Sequence, residues 1–581
     1  MQKNLKQENN RIMKRLSKTM IIKSFLQMSL LLGIGLFSAC AGNDAAQSSG
    51  ETEPAAPKGV LFTTHAPKAK AKMSTKVAGD DTPTRTLIQY QIGQGAEAYW
   101  ETADYIFVKN KAGVWKKSIY TAVNGDGSSA TFTLPGNVSD YGAGCEVRYT
   151  GFTGSPDQVK TGNPPVQKRP GVLDDAGNFG DCGVGFAVAG SDPSMFNFQL
   201  EHKAGYLCFL PRQEDAALGT NTYITKIVVS SANPICGIYD FSTGSFGTTP
   251  PSGYRRFMLQ FQSPGTYANG FPLTNTTSSV LTNGAYIGLA PGTYHFNVQY
   301  YLYDPTTSVE GFLTKYVTVS VDAGEIKPVT ANLQVPTVPL NTYYNWDAEK
   351  YGFYGNESQQ PTTNGGEGDL KVNFPYGPPT DPRAAQAPTN KAAEHSCKDC
   401  PNLNELTWYV ERGNPSWDAD GIFAFNNHLQ KGGVWLLKKD NIPGFSAAVA
   451  PNGVNFSDAA SHYTTAYYYP SYGGTPTPPQ YLPPSVTPSG AVPQIADRGK
   501  YFFLPAAGYY IYDRYPSGSF INRTVLHGLG TEGVWWSCDG TMAPPNRAGK
   551  LYFSASKIAI DIDGSLYLAT YRTLAPIWKV Q

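Results

Sequence analysis

Between Thr222 and Pro336 the chain repeats one kind of segment. "TYITKIVVSS" (222–231) and "TYHFNVQYYLYD" (293–304) are dense in β-branched and aromatic residues. "YVTVSVDAGEIKPVTANLQVP" (316–336) reads as a strand, a turn at Ala323-Gly324 and a second strand. No helical run of about 10–15 residues separates these segments, as a parallel sheet would require. An antiparallel β-sandwich is therefore expected here. The composition agrees: charged residues are sparse at 16%, while Gly (60) and Tyr (37) are abundant, which suits short twisted strands and long loops.

The same texture begins earlier. "GVLFTTHA" (59–66) is a short strand candidate, followed by the basic, irregular "PKAKAKMSTKVAGDDTPTRT" (67–86). "DYIFVKN" (104–110), "SATFTLP" (129–135) and "EVRYTGF" (146–152) are short and β-rich, with turn signals such as "NGDG" (124–127) between them. A second block starts near "FNFQLEHKAGYLCFLP" (196–211). Residues 341–395, rich in Pro, Gly, Asn and Thr from 355 onward, are expected to be a linker.

The third block, 396–581, differs. Leu403, Leu406 and Val410 in "CPNLNELTWYVERG" (400–413) stand at helical spacing, with Gly413 at the stop position. "GGVWLLKK" (432–439), "GKYFFLPAAGYYIYD" (499–513), "GVWWSCDG" (533–540) and "KLYFSASKIAIDIDGSLYLATYR" (550–572) follow, the last with a hairpin turn at Asp563-Gly564. This block is expected to be α+β.

The N-terminus carries a basic lead (Lys3, Lys6, Arg11, Lys14, Arg15, Lys18) and an apolar run from Met20 to Ala39 that stops at Cys40. Its uninterrupted apolar part is shorter than the ~20 residues of a membrane-spanning helix. This is the layout of a secretory signal. The break at Phe37-Ser38-Ala39-Cys40 resembles a bacterial lipoprotein signal, although Phe37 stands where leucine is usual. The resemblance implies a signal peptide over 1–39, lipidation of Cys40 and an outer-membrane anchor. The alternative is an ordinary signal with a chance cysteine. Residues 41–58 then form a flexible tether.

"TRT" (84–86), "YWETADYIFVKN" (99–110), "FQLEHKAGYLCFLP" (198–211), "YITKIVVSSANPICGIYDF" (223–241) and "VDAGEIKPVTANL" (321–333) resemble the fimbrillin-like proteins of Bacteroidales. That resemblance, over roughly 60–340, implies two consecutive transthyretin-like β-sandwiches, 86–195 and 196–340, in a subunit of surface pili. It implies assembly by strand exchange. An arginine-specific protease cuts near the first strand, here after Arg85 so that Thr86 becomes the first residue, and a strand from another subunit fills the opened groove. On this view 40–85 is a lipidated tether plus a removable first strand. In "CPNLNELTWYVERGNPSWD" (400–418), "GGVWLLKK" (432–439), "GKYFFLPAAGYY" (499–510) and "WWSC" (535–538) the third block resembles the lectin-like C-terminal domains of some fimbrillins. Their fold is similar to C-type lectin and formylglycine-generating-enzyme-like domains.

Catalytic chemistry is not suggested. "SASK" (554–557) and "KTG" (160–162) occur in the reverse of the order used by penicillin-recognising enzymes, and in different blocks. His395, Cys397 and Cys400 form H-x-C-x-x-C without a second cluster, so a disulfide within Cys397–Cys400, or from one of them to Cys538, is favoured over zinc. "WDADG" (417–421) and "DIDG" (561–564) lack the remainder of a calcium loop. No metal and no cofactor is expected, nor is an enzyme. The formal net charge of +1 provides no field for nucleic acid.

Ligand contacts are expected instead from the tyrosines of "HYTTAYYYPSYGG" (462–474), namely Tyr463, Tyr467, Tyr468, Tyr469 and Tyr472, and from Trp535 and Trp536. Adjacent tryptophans in a strand point one in and one out. The leading expectation is a pilus-tip adhesin at the cell surface, with other pilus subunits, the protease and a glycan or protein ligand as partners. Tip position follows from "TLAPIWKVQ" (573–581) closing the third block, where shaft subunits carry a donor extension. The alternative is a surface glycan-binding lipoprotein that does not polymerise.

Overall fold

The computed structural model describes residues 57–64, 87–91, 95–162, 166–174, 176–247, 250, 252–369, 381–385, 392–457, 485–512, 523–541, 547–561 and 573–581. It is mainly β, with several sheets and few helices. Three apolar cores organise it.

The first core lies between two five-stranded sheets. One runs in the order Val188–Ala189, Met195–Phe198, Val60–Thr64, Ala130–Leu134, Tyr120–Val123. The other runs Glu201–His202, Gly183–Phe186, Glu146–Tyr149, Phe107–Lys109, Trp115–Lys117. Val60, Phe62, Phe132 and Phe196 from the former meet Val108 and Val147 from the latter. This is sandwich packing, with alternate residues of each strand facing inward.

The second core lies between the sheet Ala285–Leu289, Gly205–Arg212, Ile326–Asn332 and the sheet Arg256–Gln260, Tyr223–Ser231, Gly292–Asp304, Val309–Val321. Tyr90, Val159, Leu173 and Phe179, from the sequence of the first block, complete it. The sandwiches are not purely antiparallel. In each, the opening strand pairs in parallel with the closing one: Leu61 with Met195 in the first, Tyr206 with Ile326 in the second. Local patterning carries no information about which distant strand becomes a neighbour.

Two expected boundaries move. Phe196 and Phe198 belong to the first core, and Glu201–His202 pairs with the first domain's sheet, so the break drawn between 195 and 196 falls inside a strand. The chain crosses over near Lys203–Gly205 instead. The expected linker 341–395 is structured in its first part. Tyr343, Trp346 and Phe353 are buried in the third core, Tyr343–Tyr344 pairs with Thr573–Pro576, and Glu367–Asp369 pairs with Arg523–Leu529. Pro and Gly announced irregular backbone there, and irregular backbone can still bury aromatic side chains.

The third core gathers a four-stranded sheet, a larger sheet centred on Glu532–Thr541, and the helix Leu403–Arg412. The helix sits where its apolar spacing placed it. Asn402 caps it by accepting from the Glu405 N–H, Glu405 returns a bond to the Asn402 N–H, and Gly413 ends it. Leu403, Leu406, Tyr409 and Val410 face inward.

The second and third domains share more than a chain crossing. Ile422, Ala424 and Leu429 of the hairpin 416–437 pack in the second core. The buried Asp304 accepts from His428 Nδ1 at 2.9 Å and from the Leu429 N–H at 3.0 Å. A Cβ at Gly311 would strike the Ile422 side chain, so the glycine permits this approach.

Candidate functional site

The strand Val60–Thr64 occupies a slot. It runs antiparallel to Ala130–Leu134 on one side and parallel to Met195–Phe198 on the other, so both of its edges are hydrogen-bonded. Val60, Phe62 and Thr64 point inward, while Leu61 and Thr63 lie on the outer face. Phe62 is fully buried, stacked on Phe196 at 5.0 Å and edge-on to Tyr141 at 5.4 Å. Thr64 Oγ1 accepts from the Ala130 N–H at 3.0 Å. On the outer face the Thr63 and Thr131 hydroxyls meet at 3.0 Å. A Cβ at Gly59 would collide with the Leu134 carbonyl, so the strand's entry needs glycine.

Burying Val60 and Phe62 contributes about 1.5–3 kcal/mol for each side chain. The slot's remaining demands are generic: two backbone ladders and apolar residues at alternate positions. Any strand with that alternation meets them. Without Val60–Thr64 the sheet would present two open edges above an apolar trough formed by Phe132, Leu134, Tyr141, Phe196 and Phe198. The connection from Thr64 to the next strand, Leu87–Gln91, includes Arg85 and Thr86, which lie outside the described residues, as does Cys40.

In the third domain the tyrosine cluster Tyr463, Tyr467, Tyr468, Tyr469 and Tyr472 also lies outside the described residues. The expectation for the tryptophans is corrected. Trp535 is 6% exposed and Trp536 is fully buried. They do point to opposite sides of their strand, but the sheet is covered on both. Trp535 packs edge-on to Trp578, and Trp536 Nε1 donates to the Tyr344 carbonyl at 2.9 Å. Neither ring reaches a ligand. The residues that cover them, 343–346 and 573–578, are remote in sequence, so alternation alone could not reveal the second buried face.

Cys397, Cys400 and Cys538 are brought together. Cys397 and Cys400 are buried, and the Asp347 N–H donates to Cys397 Sγ at 3.2 Å. The Cys538 N–H donates to the Pro401 carbonyl at 3.1 Å, which sets Cys538 beside the turn. Burial pushes the Cys397 thiol well above its ordinary range, with Cys400 adding to the effect, and burial followed by the Asp539 charge raises Cys538. Thiols held in this way are poor nucleophiles. Among the described residues no group of three or more His, Cys, Asp or Glu is placed to hold a metal ion. Nor, among them, is any helix long and apolar enough to cross a membrane.

No protein-family model matches the chain, and no curated protein matches it. Among solved structures it is similar to a candidate cell adhesion protein from Bacteroides ovatus, at 12% identity and a TM-score of 0.30, over 48% of this chain and 93% of that one. It is also similar to a fimbrial assembly protein from Parabacteroides distasonis, at 10% identity and a TM-score of 0.18, over 44% and 98%. A fimbrial protein from Bacteroides ovatus matches over 89% of this chain and 97% of its own, at 10% identity and a TM-score of 0.19. Scores of this size assign no function, which has to be drawn from the chain's own geometry.

Proposed function

We propose that this chain is a subunit of a surface pilus, assembled by exchange of its opening strand, with the third domain as an adhesive head. The observation that carries the reading is the slot. Val60–Thr64 is inserted between two strands of its own domain, is held by replaceable backbone ladders, and precedes the segment containing Arg85. Cleavage after Arg85 would free the strand and leave Thr86 as the first residue. A strand from another subunit with alternating apolar residues would then enter the groove.

The last strand, Thr573–Pro576, is bound into its own domain. Trp578 Nε1 donates to the Trp536 carbonyl at 3.0 Å, and the Gln581 N–H donates to Tyr409 Oη at 3.1 Å. These residues are therefore not available as a donor strand. In the same reading Cys40 carries the lipid that holds the precursor at the outer membrane. The tyrosines of 463–472 make the adhesive contact. Cys397, Cys400 and Cys538 are free thiols in the structure, and a disulfide between two of them after secretion would be found by alkylation and peptide mapping of the secreted protein.

Arg85→Ala tests the central claim. The variant should fold, reach the cell surface and be missing from purified pili. Normal incorporation would exclude Arg85 as the processing site. A wild-type protein that is never processed and never found in fibres would favour a fixed glycan-binding lipoprotein.

A further inference from the structure

The outer face of the second sandwich bears a cavity that the strand-exchange reading does not use. Its volume is about 400 Å³, within the range of small-ligand sites. The outward side chains that line it are Ser230 of one strand, His295 and Asn297 of the next, and Tyr316 and Thr318 of the third, with Ser231, Ala232, Phe296 and Val317 beside them.

The register explains why these side chains converge. Ser230 pairs with Asn297 and Asn297 with Tyr316, while His295 pairs with Thr318, so two rows cross the sheet side by side. Phe296 and Val298 are buried in the second core, so the residues alternating with them, His295 and Asn297, must face outward. His295 Nδ1 and Thr318 Oγ1 hold each other at 2.9 Å, and Ser230 Oγ donates to the Asn297 carbonyl at 3.3 Å. Asn297 Oδ1 is buried and has no hydrogen-bond partner. Tyr316 is 63% exposed, a large ring on the surface that no core accounts for.

We infer that this groove binds a neutral glycan. Its lining holds hydroxyls, an amide and an imidazole but no carboxylate, lysine or arginine. That set suits a polyhydroxylated, uncharged ligand and offers nothing to balance a phosphate or a divalent cation. The exposed Tyr316 ring supplies a flat apolar surface for the C–H face of a sugar. Arg256, paired with Ser230 one strand away, does not line the cavity. The site stands on the second sandwich and shares no residue with the opening-strand slot.

The test is binding of the purified protein to a microarray of neutral oligosaccharides, printed alongside sialylated and sulfated ones. The inference expects binding to at least one neutral glycan. That signal should fall at least tenfold in Tyr316→Ala and persist in Tyr316→Phe, which keeps the ring. Thr318→Trp, which fills the groove, should also abolish it. Phe186→Ala, at an exposed aromatic of the first sandwich, should leave it unchanged. Binding only to acidic glycans, no binding, or neutral binding indifferent to Tyr316→Ala and Thr318→Trp would each overturn the inference. A signal lost on replacing Tyr467, Tyr468 and Tyr469 by serine, yet kept in Tyr316→Ala, would place the contact in the third domain. That outcome overturns this inference and leaves the assembly reading intact.

Discussion

In the first sandwich the opening strand, Val60–Thr64, makes four parallel rungs with the closing strand, Leu61 with Met195 to Thr64 with Phe198. In the second, Gly205–Arg212 makes seven with Ile326–Asn332. Both strands also pair antiparallel on their other side, with Ala130–Leu134 and Ala285–Leu289 respectively. The position in the sheet is thus repeated, but the embedding is not. Val60–Thr64 buries alternate residues only, whereas seven successive residues of the second opening strand, Gly205 to Pro211, are buried. On the strand-exchange reading proposed above, a strand held on one face and joined onward through residues 65–86 would leave and be replaced by a similar one. A strand enclosed on both faces cannot leave without opening its core. Topology therefore does not distinguish the two strands; burial of one face or of both does.

The largest expected effect falls on the enclosed strand. Phe209→Ala empties part of the second core and should cost about 3–5 kcal/mol. Because Ile422, Ala424 and Leu429 share that core, calorimetry should show the second and third domains destabilised together. An unmoved third-domain transition would show that the two cores are energetically separate.

The matching change in the opening strand is Phe62→Ala. Its cavity cost is similar in kind, but the loss is limited by undocking of the strand, so about 2–4 kcal/mol is expected, confined to the first sandwich. Denaturant unfolding combined with limited proteolysis of 65–86 would measure it. Destabilisation of the whole molecule would mean that the opening strand is as embedded as its counterpart.

Asp304→Ala probes the junction. It leaves the His428 imidazole and the Leu429 N–H without their acceptor and should cost about 1–3 kcal/mol. The cost should appear as weaker coupling between the second and third transitions. A smaller effect, with a definite sign, concerns the crossover between the sandwiches. His202 Nδ1 lies 2.9 Å from Asp181, whose charge and hydrogen bond raise the His202 pKa against the opposing effect of burial. A raised histidine contributes its full stabilisation below the ordinary imidazole value of about 6.5, and loses it as pH rises through the raised value. The melting temperature should therefore decline slightly across that window, and His202→Gln should flatten the decline.

What could be seen in the residues was local. The β character, the three blocks, the turn at Ala323-Gly324 and the helix Leu403–Arg412 with its Gly413 stop all follow from short-range periodicity and turn chemistry, which a few adjacent residues encode. "GVLFTTHA" could be recognised as a strand for the same reason. Tertiary structure alone decided that this strand would enter a slot beside Met195–Phe198, that Trp535 and Trp536 would both be buried, and that Tyr343, Trp346 and Phe353 would leave an apparent linker for the third core. It also decided that Asn297 and Tyr316 would stand side by side on one face. Each of these results depends on which distant segment supplies the neighbour. That choice is made by packing two surfaces against each other, and neither surface alone specifies it.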